Sequence, residues 1–280
     1  MTISFFYIEA RFAMIKLIAS DLDDTLLDHN SQVSKENKEA IAEAVARGLT
    51  FAISTGRMFQ SAAPFGRELG LGAEQPIICY NGALICRLSG DILYEQPLSP
   101  EFSRIIADYG QNRGWTVNAY FEDELYVSVL NQQARDYATR SRVGVTAVGD
   151  LAAFIEDGQK RLPKLMIVGE PEQTPGRIEE LRSLVGTDLQ IVCSRPHFIE
   201  ITNIDAHKGK ALLWLAQFLG LETSEVMAIG DSNNDLTMIQ VAGVGVAVAN
   251  ASSVIREVAD YVTSSNREHG VARAIEKFAL

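Results

Sequence analysis

Short apolar runs recur along the chain, and each stops abruptly at a polar cluster. The run at 15–20 (IKLIAS) stops at Asp21-Leu22-Asp23-Asp24, and the run at 49–54 (LTFAIS) stops at Thr55-Gly56-Arg57. The run at 76–80 (PIICY) stops at Asn81-Gly82, and the run at 226–229 (VMAI) stops at Gly230-Asp231. Apolar runs without polar alternation predict strands buried on both faces, as in a parallel sheet covered by helices. Amphipathic stretches lie between them. Residues 34–47 predict a helix with Ser34 as N-cap, Asn37 at its third position, Gly48 past its end, and Ile41, Ala44 and Val45 facing inward. A second helix follows Arg57, and a third spans 208–219 with Leu212, Leu215, Ala216 and Leu219 inward. Residues 244–248 and 261–262 predict further strands, and 252–258 and 268–278 further helices. This alternation predicts an α/β fold built on a doubly wound, Rossmann-like parallel sheet.

Between 83 and 195 the pattern changes to hairpins mixed with helices. Residues 83–87 and 92–95 flank the turn Leu88-Ser89-Gly90-Asp91, 100–113 reads as a helix, and 115–119 pairs with 124–128. A strand at 164–168, a helix at 175–185 and a strand at 189–194 follow. The block is of independent domain size. The expected organisation is a core of 14–86 and 196–280 with an α+β cap inserted over 87–195.

Charge narrows the class of partner. The formal net charge is −11, which disfavours nucleic acid and anionic lipid and leaves room only for a local pocket for a small anion. No apolar run approaches the ~18 residues of a membrane helix. Residues 1–13 lack a basic start followed by a clean apolar stretch, so they read as an N-terminal extension upstream of Met14 rather than a signal peptide. Cys79, Cys86 and Cys193 form no metal-ligand spacing and sit in apolar contexts, so all three are expected as buried thiols, and an odd number suits a reducing, cytoplasmic setting.

The candidate chemistry lies at strand ends, where open α/β sheets bind ligands. Asp21 and Asp23 can both turn toward one site as the chain leaves the sheet. One carboxylate there can ligate Mg²⁺ and attack phosphorus, and the other can carry a proton to a leaving alkoxide. Alone, Asp-x-Asp is equally an acidic turn or a cap. The Thr55 hydroxyl and Gly56 N–H, at the start of a helix, form an anion cradle or a simple cap. Lys208 opens a helix, where its charge opposes the helix dipole, and this calls for a partner: a phosphate or the Asp21 carboxylate. In Gly230-Asp231-Ser232-Asn233-Asn234-Asp235, Asp231 can complete an oxygen-ligand Mg²⁺ site, Asn234 can donate to phosphate, and Asp235 can hold Lys208.

Taken together and in this order, DLDDTLL (21–27), STGR (54–57), YNGA (80–83), HKGKAL (207–212) and GDSNNDLTM (230–238) resemble the haloacid dehalogenase superfamily of phosphatases, in its Cof-type branch with a large α+β cap. The resemblance spans 14–280. It implies a Mg²⁺-dependent phosphomonoester hydrolase working through an aspartyl-phosphate. Asp21 would be nucleophile and metal ligand, and Asp23 the general acid/base, giving its backbone carbonyl to the metal. Leu22 (by its N–H), Thr55, Gly56, Lys208 and Asn234 would hold the phosphoryl oxygens. Asp231 would ligate the metal, with Asp235, Asn81 and Arg57 in support. The implied substrate is a small phosphorylated metabolite: a sugar phosphate, a nucleotide-like phosphate or a cofactor phosphate. The implied assembly is a monomer or homodimer. In the cap, Tyr120, Glu122, Arg140, Arg142 and His197 read as surface or packing residues. Two rival classes use similar groups: a phosphotransferase or phosphomutase of the same superfamily, and a phospho-accepting receiver module, which would lack the acid at position 23.

Overall fold

The computed structural model describes residues 14–280, so the extension expected over 1–13 lies outside the described residues. In chain order the elements are β1 (Leu17–Ser20), α1 (Lys35–Ala46), β2 (Thr50–Ser54), α2 (Phe59–Glu68), β3 (Pro76–Cys79), β4 (Leu84–Arg87) and β5 (Ile92–Glu95). Next come α3 (Pro100–Asn112), β6 (Thr116–Phe121), β7 (Glu124–Val127), α4 (Gln132–Ser141), β8 (Thr146–Ala147), α5 (Leu151–Glu156), β9 (Leu165–Val168), α6 (Thr174–Val185), β10 (Leu189–Arg195) and β11 (Phe198–Asn203). The chain closes with α7 (Lys208–Phe218), β12 (Val226–Gly230), α8 (Leu236–Val241), β13 (Val244–Ala247), α9 (Ser253–Val258), β14 (Tyr261–Val262) and α10 (Gly270–Phe278).

The first sheet runs β14-β13-β12-β1-β2-β3-β4-β5 and is parallel from β14 to β3. Its central strands are the unalternating apolar runs, and Leu17, Ile18, Phe51, Ile53, Ile77, Met227 and Ile229 are fully buried. Helix α1 begins where Ser34 accepts a hydrogen bond from Asn37 N–H, and packs on α10; α7 packs on α8. The chain leaves β1 toward β2 and β3 on one side, and later fills β12 to β14 on the other. The order therefore reverses between β1 and β12, the crevice where doubly wound sheets bind ligands.

The second sheet runs β10-β11-β9-β6-β7-β8 and forms the inserted cap. Val117, Ala119, Leu165, Ile167, Ile199 and Ile201 line one face and pack with buried residues of α3, α5 and α6. The opposite face turns toward the first sheet, and its Tyr120 and Met166 join the main core.

The expected bounds of the cap shift by a strand at each end. The hairpin of β4 and β5 continues the first sheet antiparallel to β3, and β11 pairs with β9 and β10 in the second. Local alternation shows that a strand exists but not which sheet receives it, and 198–203 was hidden behind the polar turn at 195–197. Leu219 follows the end of α7 and is exposed rather than inward. Cys79 and Cys86 are buried, but Cys193 is exposed, because β10 is an edge strand that bulges between Cys193 and Arg195. Among the described residues, no helix is long and apolar enough to cross a membrane.

Candidate active site

Asp21 is the first residue past β1, and its N–H donates to Ile229 C=O of β12 at 2.9 Å. The chain then makes one wide turn over Leu22–Leu26, closed by Leu27 N–H to Leu22 C=O at 2.8 Å, with Asp24 left-handed at φ 60°. Leu22 and Leu26 bury their side chains in the core. The turn brings the buried Thr25 hydroxyl to Asp231 Oδ1, to which it donates at 2.8 Å.

Lys208 enters the same site from the start of α7. Its side chain is fully buried, and Nζ donates to Asp21 Oδ1 at 2.5 Å and to Asp235 Oδ1 at 2.6 Å. Gly82 makes room for this approach, because a Cβ there would lie 2.5 Å from His207 O. Asp235 accepts through its other oxygen from the N–H groups of Asp231 and Ser232, both at 3.0 Å. Asp235 thus holds the lysine and its own loop at once.

Ligand atoms of Asp21, Asp231 and Asp235 lie within 4.8 Å of one another. Burial pushes the Asp21 carboxyl well above its ordinary range, and Asp235 adds to this, while Lys208 opposes it. Asp231 is pushed up to about 6 by burial and then by Asp235. Burial pulls the Lys208 ammonium down, but Asp21 and Asp235 outweigh it and its pKa rises. One ammonium against three clustered carboxylates leaves the site anionic. An all-oxygen, anionic donor set fits a hard divalent cation. Asp21 and Asp231 are the side chains able to ligate it, since both oxygens of Asp235 are committed.

Asp23 lies on the turn, with its carboxylate held in two-pronged fashion by Arg57: Nε to Oδ2 at 2.8 Å and the second prong to Oδ1 at 2.5 Å. Thr55 is buried; its N–H donates to Ile78 C=O at 2.8 Å and its C=O accepts from Asn81 N–H at 3.0 Å. The cradle of Thr55 and Gly56 stands ahead of α2 rather than on its N-terminus. That helix end is taken by Asp123 of the cap, whose Oδ2 accepts from Gln60 N–H at 2.7 Å. Asn81 is left-handed at φ 56° and wedges against Gly56, and its Oδ1 accepts from Asn234 Nδ2 at 3.1 Å.

The structure thus brings Asp21, Asp231, Asp235 and Lys208 together, pairs Asp23 with Arg57, and joins Thr55, Asn81 and Asn234 in a chain of hydrogen bonds. The cap candidates do not join these groups by any hydrogen bond among the described residues. Tyr120 is buried with its hydroxyl on Tyr137 Oη at 2.6 Å, and the His197 ring lies 3.2 Å from Gly169 O. Glu122, Arg140 and Arg142 are exposed. Sequence reasoning missed Lys164 and Glu200, two buried charges of the cap that reach Gly56 and Asn81. The signal for Glu200 was present: a carboxylate flanked by alternating apolar residues in FIEIT.

An α/β core of this topology, an inserted α+β cap and acidic and lysine side chains at the switch point define a hydrolase class. The chain belongs to the family of haloacid dehalogenase-like hydrolases, whose pattern it matches over residues 18–275. It is 36% identical to YxeH of Bacillus subtilis, a protein with a provisional phosphatase name, over 95% of this chain and 99% of that one. It is 31% identical to the 5-amino-6-(5-phospho-D-ribitylamino)uracil phosphatase YcsE of the same organism, over 95% of this chain and 96% of that one. A crystal structure from Thermotoga maritima superposes with a TM-score of 0.87 at 28% identity, covering 95% of this chain and 98% of the other.

Proposed function

We propose that this phosphomonoester hydrolase moves the phosphoryl group of a small phosphorylated metabolite onto Asp21 and then to water, with Mg²⁺ as cofactor. The observation that carries the reading is Lys208, buried between Asp21 and Asp235 beside Asp231 at the switch point of the sheet.

Asp21, Asp231 and the backbone carbonyl of Asp23 would hold the Mg²⁺, which when bound offsets the repulsion between a carboxylate and the phosphoryl oxygens. An Asp21 oxygen attacks phosphorus in line with the ester oxygen. The P–O ester bond breaks, its electron pair goes to the leaving oxygen, and Asp23 supplies that oxygen with a proton. Asp23 then takes a proton from a water that attacks the aspartyl-phosphate, which frees Asp21 and inorganic phosphate. Lys208, Thr55, Gly56, Asn234 and the Leu22 N–H hold the phosphoryl oxygens, which is where charge gathers in such a reaction. Arg57 orients Asp23, Asp235 orients Lys208, and Asn81 orients Asn234.

The cap, lying over the crevice, selects among sugar, nucleotide-like and cofactor phosphates. The buried free thiols of Cys79 and Cys86 suit a reducing cytoplasm, and a monomer or homodimer suffices, since one chain supplies every group named. Phosphate release from a panel of phosphomonoesters, with Mg²⁺ and with EDTA, tests the reading in the wild type and in Asp21→Asn. The expected result is Mg²⁺-dependent release that Asp21→Asn abolishes. Release that survives either EDTA or the substitution overturns it.

A further inference from the structure

The face of the cap sheet turned toward the first sheet carries a buried ion pair that the reaction above does not use. Lys164 stands just before β9 and Glu200 in the middle of β11, with residue exposures of 2% and 7%. Lys164 Nζ lies 3.2 Å from Glu200 Oε2. A pair buried this deeply gains little stability over an apolar pair, because desolvation offsets the attraction. The remaining partners of the two ends point to the crevice instead. Lys164 Nζ also donates to Gly56 C=O at 3.2 Å and lies 4.9 Å from the centre of the Tyr120 ring. Glu200 Oε2 also accepts from Asn81 Nδ2 at 3.2 Å. Asn81 Oδ1 in turn accepts from Asn234 Nδ2. One pair of charges on the cap therefore grips both sides of the phosphate cradle, Gly56 directly and Asn234 through Asn81.

We infer that Lys164 and Glu200 are positioning residues, through which the cap holds the phosphate cradle in its working geometry. The inference rests on the proposed phosphatase reading. Neither side chain is needed to touch the leaving group, so their loss should slow all substrates alike, whereas a specificity contact would reorder them. Glu200→Gln keeps the shape and an oxygen that can still accept from Lys164 and Asn81, but it removes the negative charge that holds the buried Lys164 ammonium in place. Lys164→Met removes the grip on Gly56. Ser61→Ala is the comparison: it deletes a different link between core and cap, Ser61 Oγ of α2 to Ser141 O of α4 at 3.1 Å, which involves neither Gly56 nor Asn81.

The experiment measures kcat and KM on several phosphomonoesters, and inhibition by orthovanadate, for wild type, Glu200→Gln, Lys164→Met, Lys164→Arg and Ser61→Ala. Glu200→Gln and Lys164→Met are expected to lower kcat by roughly tenfold to a hundredfold, the scale of a cradle displaced by an ångström or less. Orthovanadate, which takes up the trigonal-bipyramidal shape of a phosphoryl group in flight, should lose affinity by a similar factor. Substrate ranking should stay unchanged, Lys164→Arg should recover part of the loss, and Ser61→Ala should behave as wild type. Glu200→Asp, which keeps the charge but withdraws it, replaces Glu200→Gln should that variant fail to fold, with an intermediate loss expected. Unchanged kcat and vanadate inhibition in an active protein, a reordered ranking, or an equal loss in Ser61→Ala each overturn the inference and leave the phosphatase reading standing. A wild type that releases no phosphate from any ester overturns both.

Discussion

Removing the Lys208 ammonium should separate its structural work from its chemical work. Lys208 and Asp235 are fully buried and Asp21 nearly so, and the lysine lies 2.5 Å and 2.6 Å from the two carboxylates. Lys208→Met keeps most of the side-chain volume but leaves two carboxylates facing each other without their shared counter-ion. Breaking a buried pair in this way costs about 3–5 kcal/mol. In a chain of this size that corresponds to a fall in melting temperature on the order of 10 °C. Lys208→Met/Asp235→Asn removes one of the two stranded charges, and the asparagine Oδ1 can still accept from the N–H groups of Asp231 and Ser232. The double variant should therefore regain about half of the lost stability. It should not regain activity, because the charge that meets the phosphoryl oxygens is still missing, and loss of one such donor costs about a hundredfold to a thousandfold in kcat. Urea titration in EDTA gives the stabilities and phosphate release gives the rates. A single variant as stable as the wild type, or a double variant no more stable than the single one, would refute the argument from burial and pairing.

Two further outcomes follow from the same geometry. Gly82→Ala combines a left-handed φ of 99° with a Cβ placed 2.5 Å from His207 O, so the start of α7 has to move; the expected loss is roughly 2–4 kcal/mol, read by thermal melting. A melt unchanged from the wild type would mean that the close approach is not needed. Asp123 gives a pH signature. Burial pushes its carboxyl from the ordinary 3.8 up to about 6, against the hydrogen bonds from Gln60 and Tyr80. An acid raised in the folded state binds its proton more tightly there than in the unfolded chain. Its contribution to stability is therefore complete below pH 3.8 and lost as pH climbs through about 6. After discounting for its partial exposure, Asp123→Asn should gain ~1 kcal/mol relative to wild type as pH rises from about 5 to 7.5. Urea midpoints at the two pH values measure this, and a difference independent of pH would count against the assignment.

The helices and strands of the first sheet were legible because each obeys a local rule. Apolar runs without alternation have to be covered on both faces, and Ser34 and Gly48 mark the ends of α1 by capping chemistry alone. Asp21, Thr55, Asn81 and Asp231 were legible for a related reason: polar residues after buried strands all emerge at one edge of a parallel sheet, whereas Lys208 was legible because a cation at the start of a helix calls for a partner. Membership of a sheet was not legible. The strand expected at 92–95 pairs within the first sheet rather than the cap, and 198–203, where no strand was expected, pairs within the cap sheet, because pairing partners are chosen by distant segments. Cys193 looked like a core thiol for the same reason, since an edge position is a property of the finished sheet.

The sequence by itself determined the covalent order of the site: which acid leaves which strand, where the lysine opens its helix, and which turns are free of bulky side chains. Tertiary structure alone decided how those groups are paired. Asp235 could have faced a cation from solvent, but burial leaves Lys208 between it and Asp21, and a buried charge has to find its partner among whatever the fold brings near. The same requirement drew Lys164 and Glu200 from the cap onto Gly56 and Asn81, residues 108 and 119 positions away along the chain. No local pattern carries a contact of that range, because it exists only once two sheets have closed on each other.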